Sequence, residues 1–343
     1  ADETATKIYR SVGNDSSDLS NSATVTISGT TATFSVAQPD NIGVGDVIQF
    51  GGSGFYDLAF ITARASSTEY SVQAWDGSVP TATTTAAMEI FRAHLELDDW
   101  EDQIAGDVNS GIDSSVENKV LIGLDLVASN TIAMVACYAS GNGENNGFYI
   151  NGWFTGAQNY IKIYTPVSLN EVGVSQRHNG KWDSAKYYIA DDGSVVYSNE
   201  DYVYIDGLQI ESNTIGDDEY GIISYEANYN YISNNIVRDT ARSGSSRSGI
   251  GVGSSDNVYI WNNIVYDFDA DSSARGFSIS TANSPGAWLY NNTVYNSYKG
   301  YTVGWDDVFA INNIAQDCIE DFDVGSQFYT GTSYNISSDG TAP

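Results

Sequence analysis

Short runs of alternating apolar and polar residues recur through the second half of the chain at intervals of about 20 to 30 residues. Each run contains an Asn pair, and successive pairs lie 28, 29 and 21 residues apart. The second residues of the pairs are Asn235, Asn263, Asn292 and Asn313. Three positions before them stand Ile232, Ile260, Leu289 and Ala310, and Ile205 with Leu208 adds an earlier rung. Alternate residues of a strand share one face, so the pattern predicts a common core inside a coil of parallel strands.

The Asn column has the same parity as the core positions. An unpaired amide inside a protein costs about 1–3 kcal/mol, so we expect these side chains to point inward and to bond to one another from rung to rung. A second inward column follows the glycines that open another strand in each rung. Its members are Ile222, Ile250, Phe277, Tyr301 and Phe322.

An aromatic column of the opposite parity is predicted to face outward. It consists of Tyr204, Tyr231, Tyr259, Trp288 and Phe309, and it is widened by Trp261 and Tyr290. An exposed apolar stripe is expected to be covered or to bind something. The cover could be another part of this chain, a neighbouring subunit, or a glycan that stacks its CH faces on the rings.

Three segments follow from the patterns. Residues 1–92 predict a small β-rich barrel or sandwich, with a hairpin around Ser28-Gly29-Thr30. Residues 93–119 predict a capping helix and linker, because Leu97, Trp100 and Ile104 recur at helical spacing within 94–105. Residues 120–343 form the predicted parallel coil, and the fold class is therefore all-β.

The rungs Tyr231-Ile-Ser-Asn-Asn-Ile-Val237, Tyr259-Ile-Trp-Asn-Asn-Ile-Val265 and Trp288-Leu-Tyr-Asn-Asn-Thr-Val294 resemble the repeats of right-handed parallel β-helix proteins. That superfamily includes pectate lyases and phage tailspikes. The segments Ile8–Gly13 and Gly43–Ile48 resemble regions fused to β-helices in phage-derived and bacterial surface proteins. The resemblance implies a right-handed coil and leaves the function open, because the superfamily contains lyases, hydrolases, adhesins and structural proteins.

The formal net charge of −30 disfavours nucleic acid as a partner, because a polyphosphate would be repelled. No apolar stretch reaches the length of a membrane span, so we expect no membrane insertion. Acids recur four residues after the Asn column, at Asp239, Asp267 and Asp317, with Asn296 in the same column. Turn formation is one interpretation, and shared calcium is the sharper one, although no cofactor is required. Cys137 and Cys318 are expected to be buried apolar residues.

A pectate-lyase-type reaction would need an Arg or Lys as base and calcium on the substrate carboxylate. The candidate bases are Arg177, Lys181, Arg238, Arg242, Arg247 and Arg275. None lies in a recognisable lyase motif, and the Gly-His-Gly segment of polygalacturonases is missing. The acid pairs Asp217-Asp218 and Asp306-Asp307 are more typical of exposed turns, and the basic segment Gln176–Trp182 is either a functional loop or a long turn.

The sequence therefore predicts a non-enzymatic structural or adhesive β-helix subunit of an extracellular appendage, a surface layer or a virion. A calcium-dependent polysaccharide lyase or a glycoside hydrolase is the alternative. We expect self-association through the outward aromatic column or through the last rungs, where no amphipathic cap is evident, and polysaccharide is a further candidate partner.

Overall fold

The computed structural model describes residues 4–52, 55–141, 143–213, 216–241, 246–283, 286–304, 308–323 and 328–343, except for the side chain of Phe55. The chain divides into two compact units. Unit 1 contains residues 1–143, 154–177 and 184–187, and unit 2 contains residues 144–153, 178–183 and 188–343. The candidate base Arg242 and the acid pair Asp306-Asp307 lie outside the described residues.

Unit 1 is built mainly from strands and has only short helices. Its strands are β1 (Thr6–Val12), β2 (Thr24–Ser28), β3 (Thr31–Phe34), β4 (Val47–Gly52), β5 (Phe55–Arg64), β6 (Glu69–Gln73), β7 (Thr83–Phe91), β8 (Thr131–Cys137) and β10 (Ile161–Tyr164). The helices are α1 (Leu97–Asp102), α2 (Leu126–Ser129) and single 3-10 turns at Ala105–Asp107 and Glu117–Lys119.

Strands β2 to β7 close into an antiparallel barrel in the order β2-β3-β6-β5-β4-β7. The predicted hairpin joins β2 to β3, and Gly29 supplies the positive φ of 59° that its turn requires. Strand β1 lies within the segment predicted as the barrel, yet it pairs in parallel with β8, which also pairs in parallel with β10. The barrel therefore accounts for Thr24–Phe91, and β1 belongs to a parallel sheet.

The predicted helix over 94–105 is wrong in length. Helix α1 spans only Leu97–Asp102, with Leu97 and Trp100 buried. It ends because Gln103 adopts a left-handed conformation at φ 51° and returns its side-chain amide to the Trp100 carbonyl at 2.6 Å. Ile104 therefore leaves the helical face and is 54% exposed.

Two buried arginines join the barrel of unit 1 to the residues around it. The Arg10 side chain lies 3.7 Å from the Phe60 ring centroid and donates to the carbonyls of Val120, Lys119 and Trp75. Arg92 donates to both carboxylate oxygens of Asp46 at 2.6 Å and lies 3.8 Å from the Tyr138 ring centroid. Both arginines are fully or almost fully buried, so unit 1 depends on a few individual charged contacts.

Unit 2 is a coil whose strands fall into three parallel sheets. Sheet 1 contains β13 (Val203–Asp206), β16 (Tyr231–Ser233), β19 (Val258–Trp261), β22 (Ala287–Tyr290) and β25 (Val308–Ile311). Sheet 2 contains β11 (Ile189–Asp191), β14 (Gln209–Ser212), β17 (Ile236–Asp239), β20 (Ile264–Tyr266), β23 (Thr293–Tyr295), β26 (Ile314–Gln316) and β28 (Ile336–Ser337). Sheet 3 contains β9 (Phe148–Ile150), β12 (Val196–Ser198), β15 (Tyr220–Tyr225), β18 (Ser248–Ser255), β21 (Arg275–Thr281), β24 (Lys299–Val303) and β27 (Glu320–Phe322).

The chain visits sheets 1, 2 and 3 in rotation, which is the arrangement of a parallel β-helix. Ile232 pairs with Ile260 and Ile260 with Leu289, as the Asn spacing implies. Inside sheet 3, the rings of Phe277, Tyr301 and Phe322 stack at centroid distances of 4.7 Å. The all-β class and the parallel coil agree with the prediction, and the right-handed sense stays a prediction.

The glycines that open the sheet 3 strands mark a close approach between sheets. A Cβ atom at Gly221, Gly249 or Gly276 would overlap Val237, Val265 or Val294 of sheet 2, respectively. The repeated glycine therefore lets the inner wall close at this corner. Among the described residues, no helix is long and apolar enough to cross a membrane.

Candidate functional site

The asparagine column lies inside the coil of unit 2. Asn235, Asn263, Asn292 and Asn313 are 0% exposed. The side-chain amide of each donates to the side-chain oxygen of the next at 3.0 Å. A fifth member, Asn335, continues the column by accepting from Asn313 at 3.0 Å, and the sequence pattern overlooked it because it is not preceded by another Asn.

The first residue of each Asn pair has a different structural role. Asn234, Asn262, Asn291 and Asn312 have φ between 54° and 58°, and Gly207 occupies the same place with φ 83°. Asn tolerates this left-handed conformation better than most residues, so it can form the corner between sheets 1 and 2. An Asn pair therefore combines a corner residue with an inward ladder residue.

The predicted outward aromatic column forms a stack along sheet 1. Tyr204 and Tyr231 have ring centroids 4.2 Å apart, Tyr231 and Tyr259 5.3 Å, and Tyr259 and Trp288 4.7 Å, with interplanar angles of 7° to 11°. Phe309, also in this column, meets Tyr290 edge to face at 6.2 Å. Trp261 meets Tyr231 edge to face at 6.4 Å. All of these side chains are half-buried.

Stacking decides what this column can offer to a ligand. Each ring of the central stack covers a face of its neighbour, so mainly ring edges and hydroxyl groups point outward. A sugar that packs its CH face on an aromatic ring needs an uncovered ring face. The stack along sheet 1 is therefore better suited to stiffening the coil than to binding glycans by face-to-face contact. The rings of Tyr202 and Tyr229, in the neighbouring turn, also stack in parallel, with centroids 4.9 Å apart.

The acid column has different structural roles at its three predicted calcium positions. Asp239 is buried and forms an ion pair with the fully buried Arg247 at 2.7 Å. Burial raises the pKa of Asp239 to about 6, against the opposing attraction of Arg247. Asp267 and Asp317 are turn residues with φ of 68° and 56°, as is Asn296 at 49°.

These contacts favour turn and ion-pair roles over calcium binding. Asp239 could ligate a cation only by giving up Arg247. Within the ranges that the structure describes, no three or more His, Cys, Asp or Glu side chains come together as metal ligands.

The candidate catalytic bases are distributed over several environments. Arg238 forms an ion pair with Glu211 and lies 3.7 Å from the Trp182 ring centroid. Arg247 is committed to Asp239, and Arg177 in unit 1 donates to Thr165 at 3.1 Å. Lys181 is exposed, and Arg275 stands in register between Ser248 and Lys299 on sheet 3.

The basic segment predicted at Gln176–Trp182 is divided between the units. Its part in unit 2 lies along sheet 2, where His178 contacts the Asn234 carbonyl at 2.8 Å and Asp183 exchanges hydrogen bonds with Gln209. The packing of Trp182 on Arg238 adds a third contact. These contacts explain the segment as a covering turn.

The cysteines only partly match expectation. Cys137 is buried, whereas Cys318 is partly exposed. Burial of its sulfur raises the pKa of Cys318 to about 12, which leaves it a protonated thiol at neutral pH.

Comparison with protein-family models gives no match, and comparison with curated proteins gives none either. Among solved structures, the chain is similar to the tailspike gp61 of Pseudomonas phage phi297, with 12% sequence identity and a TM-score of 0.18. The similarity covers 89% of this chain and 48% of the tailspike, so the chain spans about half the length of that protein.

Proposed function

We propose that this chain is a non-enzymatic structural or adhesive β-helix subunit on the outside of a cell or a virion. The observation that carries the proposal is the continuity of like contacts from rung to rung. The internal asparagine ladder and the outward aromatic stack run through the same rungs of unit 2. Ladders of this kind satisfy the interior and hold successive rungs in register, which suits a rigid element.

The location can be tested with an antibody raised against the folded chain. Immunogold labelling of intact producing cells, and of any particles they release, is expected to mark an outer surface. The matched control is the same antibody preabsorbed with purified protein. Label confined to the cell interior after permeabilisation would contradict an external structural role.

The enzymatic alternative is supported by the exposed Asp218, which belongs to one of the predicted acid pairs and lies near Glu219. It predicts new reducing ends, or unsaturated ends that absorb in the ultraviolet, when purified protein and calcium are incubated with polysaccharides. Turnover lost on substituting Asp218 or Lys181, with the fold retained, would replace the structural proposal by an enzymatic one. A panel without turnover supports the proposal.

The proposal includes association of the chain with further copies of itself. The outward column of sheet 2 places Ile236, Ile264, Thr293, Ile314 and Ile336 in register. Ile236 is only 1% exposed, beside the segment that contacts Gln209 and Asn234, whereas Ile314 and Ile336 are 37% and 59% exposed. Apolar side chains exposed in one row support a contact with another subunit.

Sedimentation over a range of protein concentrations tests this part of the proposal. We expect an oligomer that Ile314→Asp weakens, because a carboxylate would be buried in the contact. Thr293→Asp places a charge one rung away in the same column and shows whether the contact extends along it. A strictly monomeric species at the highest concentration contradicts self-association.

A further inference from the structure

Sheet 3 of unit 2 carries an outward surface that differs from the aromatic stack of sheet 1. Its strands align Tyr149, Tyr197, Ile223, Gly251 and Ser278 in register across five rungs. The outward side chains therefore shrink from two tyrosines, through isoleucine, to glycine and serine. A depression forms where large residues give way to small ones.

This depression is a groove of about 400 Å³. Glycines at 251 and 253 make room for neighbouring aromatic rings, because a Cβ at Gly251 would overlap the Tyr220 ring and one at Gly253 would lie 2.6 Å from the Tyr225 ring. Ile223, although it faces outward, is only 3% exposed. The groove thus combines an apolar floor with tyrosine rings that lie across strand β18.

Tyr197 and Tyr225 line the groove, and Tyr149 lies beside Tyr197 on the preceding rung. These rings are not stacked in parallel. The rings of Tyr149 and Tyr197 are tilted by 47° at 4.6 Å, and those of Tyr197 and Tyr225 by 51° at 6.0 Å. Tyr149 is 43% exposed. Tilted rings leave parts of their faces uncovered, in contrast to the near-parallel rings of sheet 1.

Polar groups border the aromatic surface. Ser278 and Ser280 line one side, and Asp218, Glu219 and Ser194 line another. The Ser194 hydroxyl donates to Glu219 at 2.5 Å, which orients that carboxylate. Burial and the nearby Tyr149 and Tyr225 raise the pKa of Tyr197 to about 12, so its hydroxyl remains a neutral donor over the physiological range.

We propose that this groove binds an uncharged segment of a glycan chain. The CH faces of its sugars would pack against Tyr197 and Tyr225, and its hydroxyl groups would bond to Ser278, Ser280 and Glu219. Asp218 and Glu219, on a chain of net charge −30, oppose uronate or sulfated sugars. The inference deepens the adhesive part of the proposed function and rests on it only for the external location.

Affinity electrophoresis of the full chain tests the assignment. Native gels contain one soluble neutral polysaccharide each, namely dextran, xyloglucan, galactomannan or mixed-linkage glucan, and a further gel contains polygalacturonate. We expect retardation by at least one neutral polymer and none by polygalacturonate at low ionic strength. Retardation by none of the neutral polymers, or stronger retardation by polygalacturonate, would overturn the proposal.

Two groove variants and a matched control locate the site. Tyr197→Ala is expected to weaken binding by about tenfold, the order of magnitude of one lost aromatic contact. Ser280→Leu changes an exposed side chain and should block the groove without disturbing the core. Tyr231→Ala removes a ring from the stack of sheet 1 and should leave binding unchanged.

The folded state of each variant is verified by its circular dichroism spectrum. If Tyr197→Ala does not fold, Ser280→Leu alone decides the question. Unchanged retardation of folded Ser280→Leu, or an equal loss in Tyr231→Ala, refutes the groove as the site. Because these measurements use purified protein, they can fail while the external location holds, and they can succeed while it fails.

Discussion

The two units satisfy their buried polar groups in different ways. Unit 1 uses single charged contacts, such as the buried pair of Arg92 and Asp46. Unit 2 repeats a neutral contact, the Asn to Asn hydrogen bond, through successive rungs. A coil places like side chains on like at about 4.8 Å, and at that spacing amides attract whereas equal charges repel. A contact that repeats from rung to rung is therefore made by neutral side chains, whereas unit 1, which does not repeat, can contain a single charged pair.

The outer turn of unit 2 follows the same principle. One turn residue in each of four successive rungs belongs to a row: Asp201, Asn228, Asp256 and Asn283. The side-chain oxygen of each of the first three accepts a hydrogen bond from the backbone N–H of the next member of the row, at 2.6 to 3.0 Å. Acid and amide alternate, so no carboxylate in this row lies directly above another. The alternation retains the hydrogen bonds and separates the charges.

The largest expected effect comes from breaking the charged contact of unit 1. Arg92→Leu leaves the fully buried Asp46 without its counter-charge, so we expect a loss of about 3–5 kcal/mol in the free energy of unfolding. Denaturant titration followed by tryptophan fluorescence measures this loss. Arg64→Leu is the matched control, because its partner Asp40 is exposed and the expected loss is below about 1 kcal/mol. Equal losses in the two variants would contradict the contrast.

Interrupting the neutral ladder should cost less. Leucine fits a ladder position, because Leu208 occupies the equivalent place in an earlier rung. Asn263→Leu removes the acceptor of the Asn235 backbone N–H, so we expect the free energy of unfolding to fall by about 2–3 kcal/mol. The control is Asn262→Gly at the adjacent exposed corner, where φ is 57° and glycine fits. If the control destabilises as much as Asn263→Leu in the same denaturant titration, the ladder is not what holds this corner.

A smaller effect is expected in the alternating row. Asn228→Asp would place carboxylates on three successive rungs, and we expect about 1 kcal/mol of destabilisation by like-charge repulsion. Thermal unfolding in low salt and in about 1 M NaCl should show a loss that salt largely removes. Asp256→Asn keeps the accepting oxygen and removes a charge, so its melting temperature should hardly change. A salt-independent loss in Asn228→Asp would point to geometry rather than charge.

A pH-dependent effect concerns the buried ion pair of Asp239 with Arg247 in unit 2. Burial raises the pKa of Asp239 from 3.8 to about 6, so between these values the folded protein binds more protons than the unfolded one. Its contribution to stability therefore falls as pH rises from about 4 to about 6. Unfolding measured across this window in the wild type and in Asp239→Asn should show a shallower slope in the variant. Identical slopes would mean that Asp239 keeps an ordinary pKa.

Much of the coil could be predicted because its signals repeat. The parity of the columns at Ile232, Ile260 and Leu289 fixes which face is inward, and the Asn spacing fixes the register. A feature that occurs once provides no such comparison. Proximity along the chain therefore predicts that β1 belongs with the barrel, although its partner is the distant β8.

The other differences between the prediction and the structure also have local causes. Helix α1 is shorter than its periodicity suggests because a single left-handed residue, Gln103, ends it. The groove on sheet 3 is not evident from the sequence because its lining residues come from four different rungs, and Gly251 and Gly253 look like ordinary strand glycines in the sequence. The partner of Asp239 is not evident from the sequence because Arg247 lies eight residues further along the chain, outside the columns that repeat from rung to rung.

The stacked rings of sheet 1 also give the molecule an optical signature. Tyr204, Tyr231, Tyr259 and Trp288 hold their chromophores nearly parallel at successive rungs. Chromophores in this arrangement couple electronically, so the near-ultraviolet circular dichroism of the stack depends on the twist between neighbouring rungs. A slip of one strand by one residue would turn its ring to the opposite face and end the coupling. The stack is thus an intrinsic spectroscopic reporter of rung alignment, readable without any attached label.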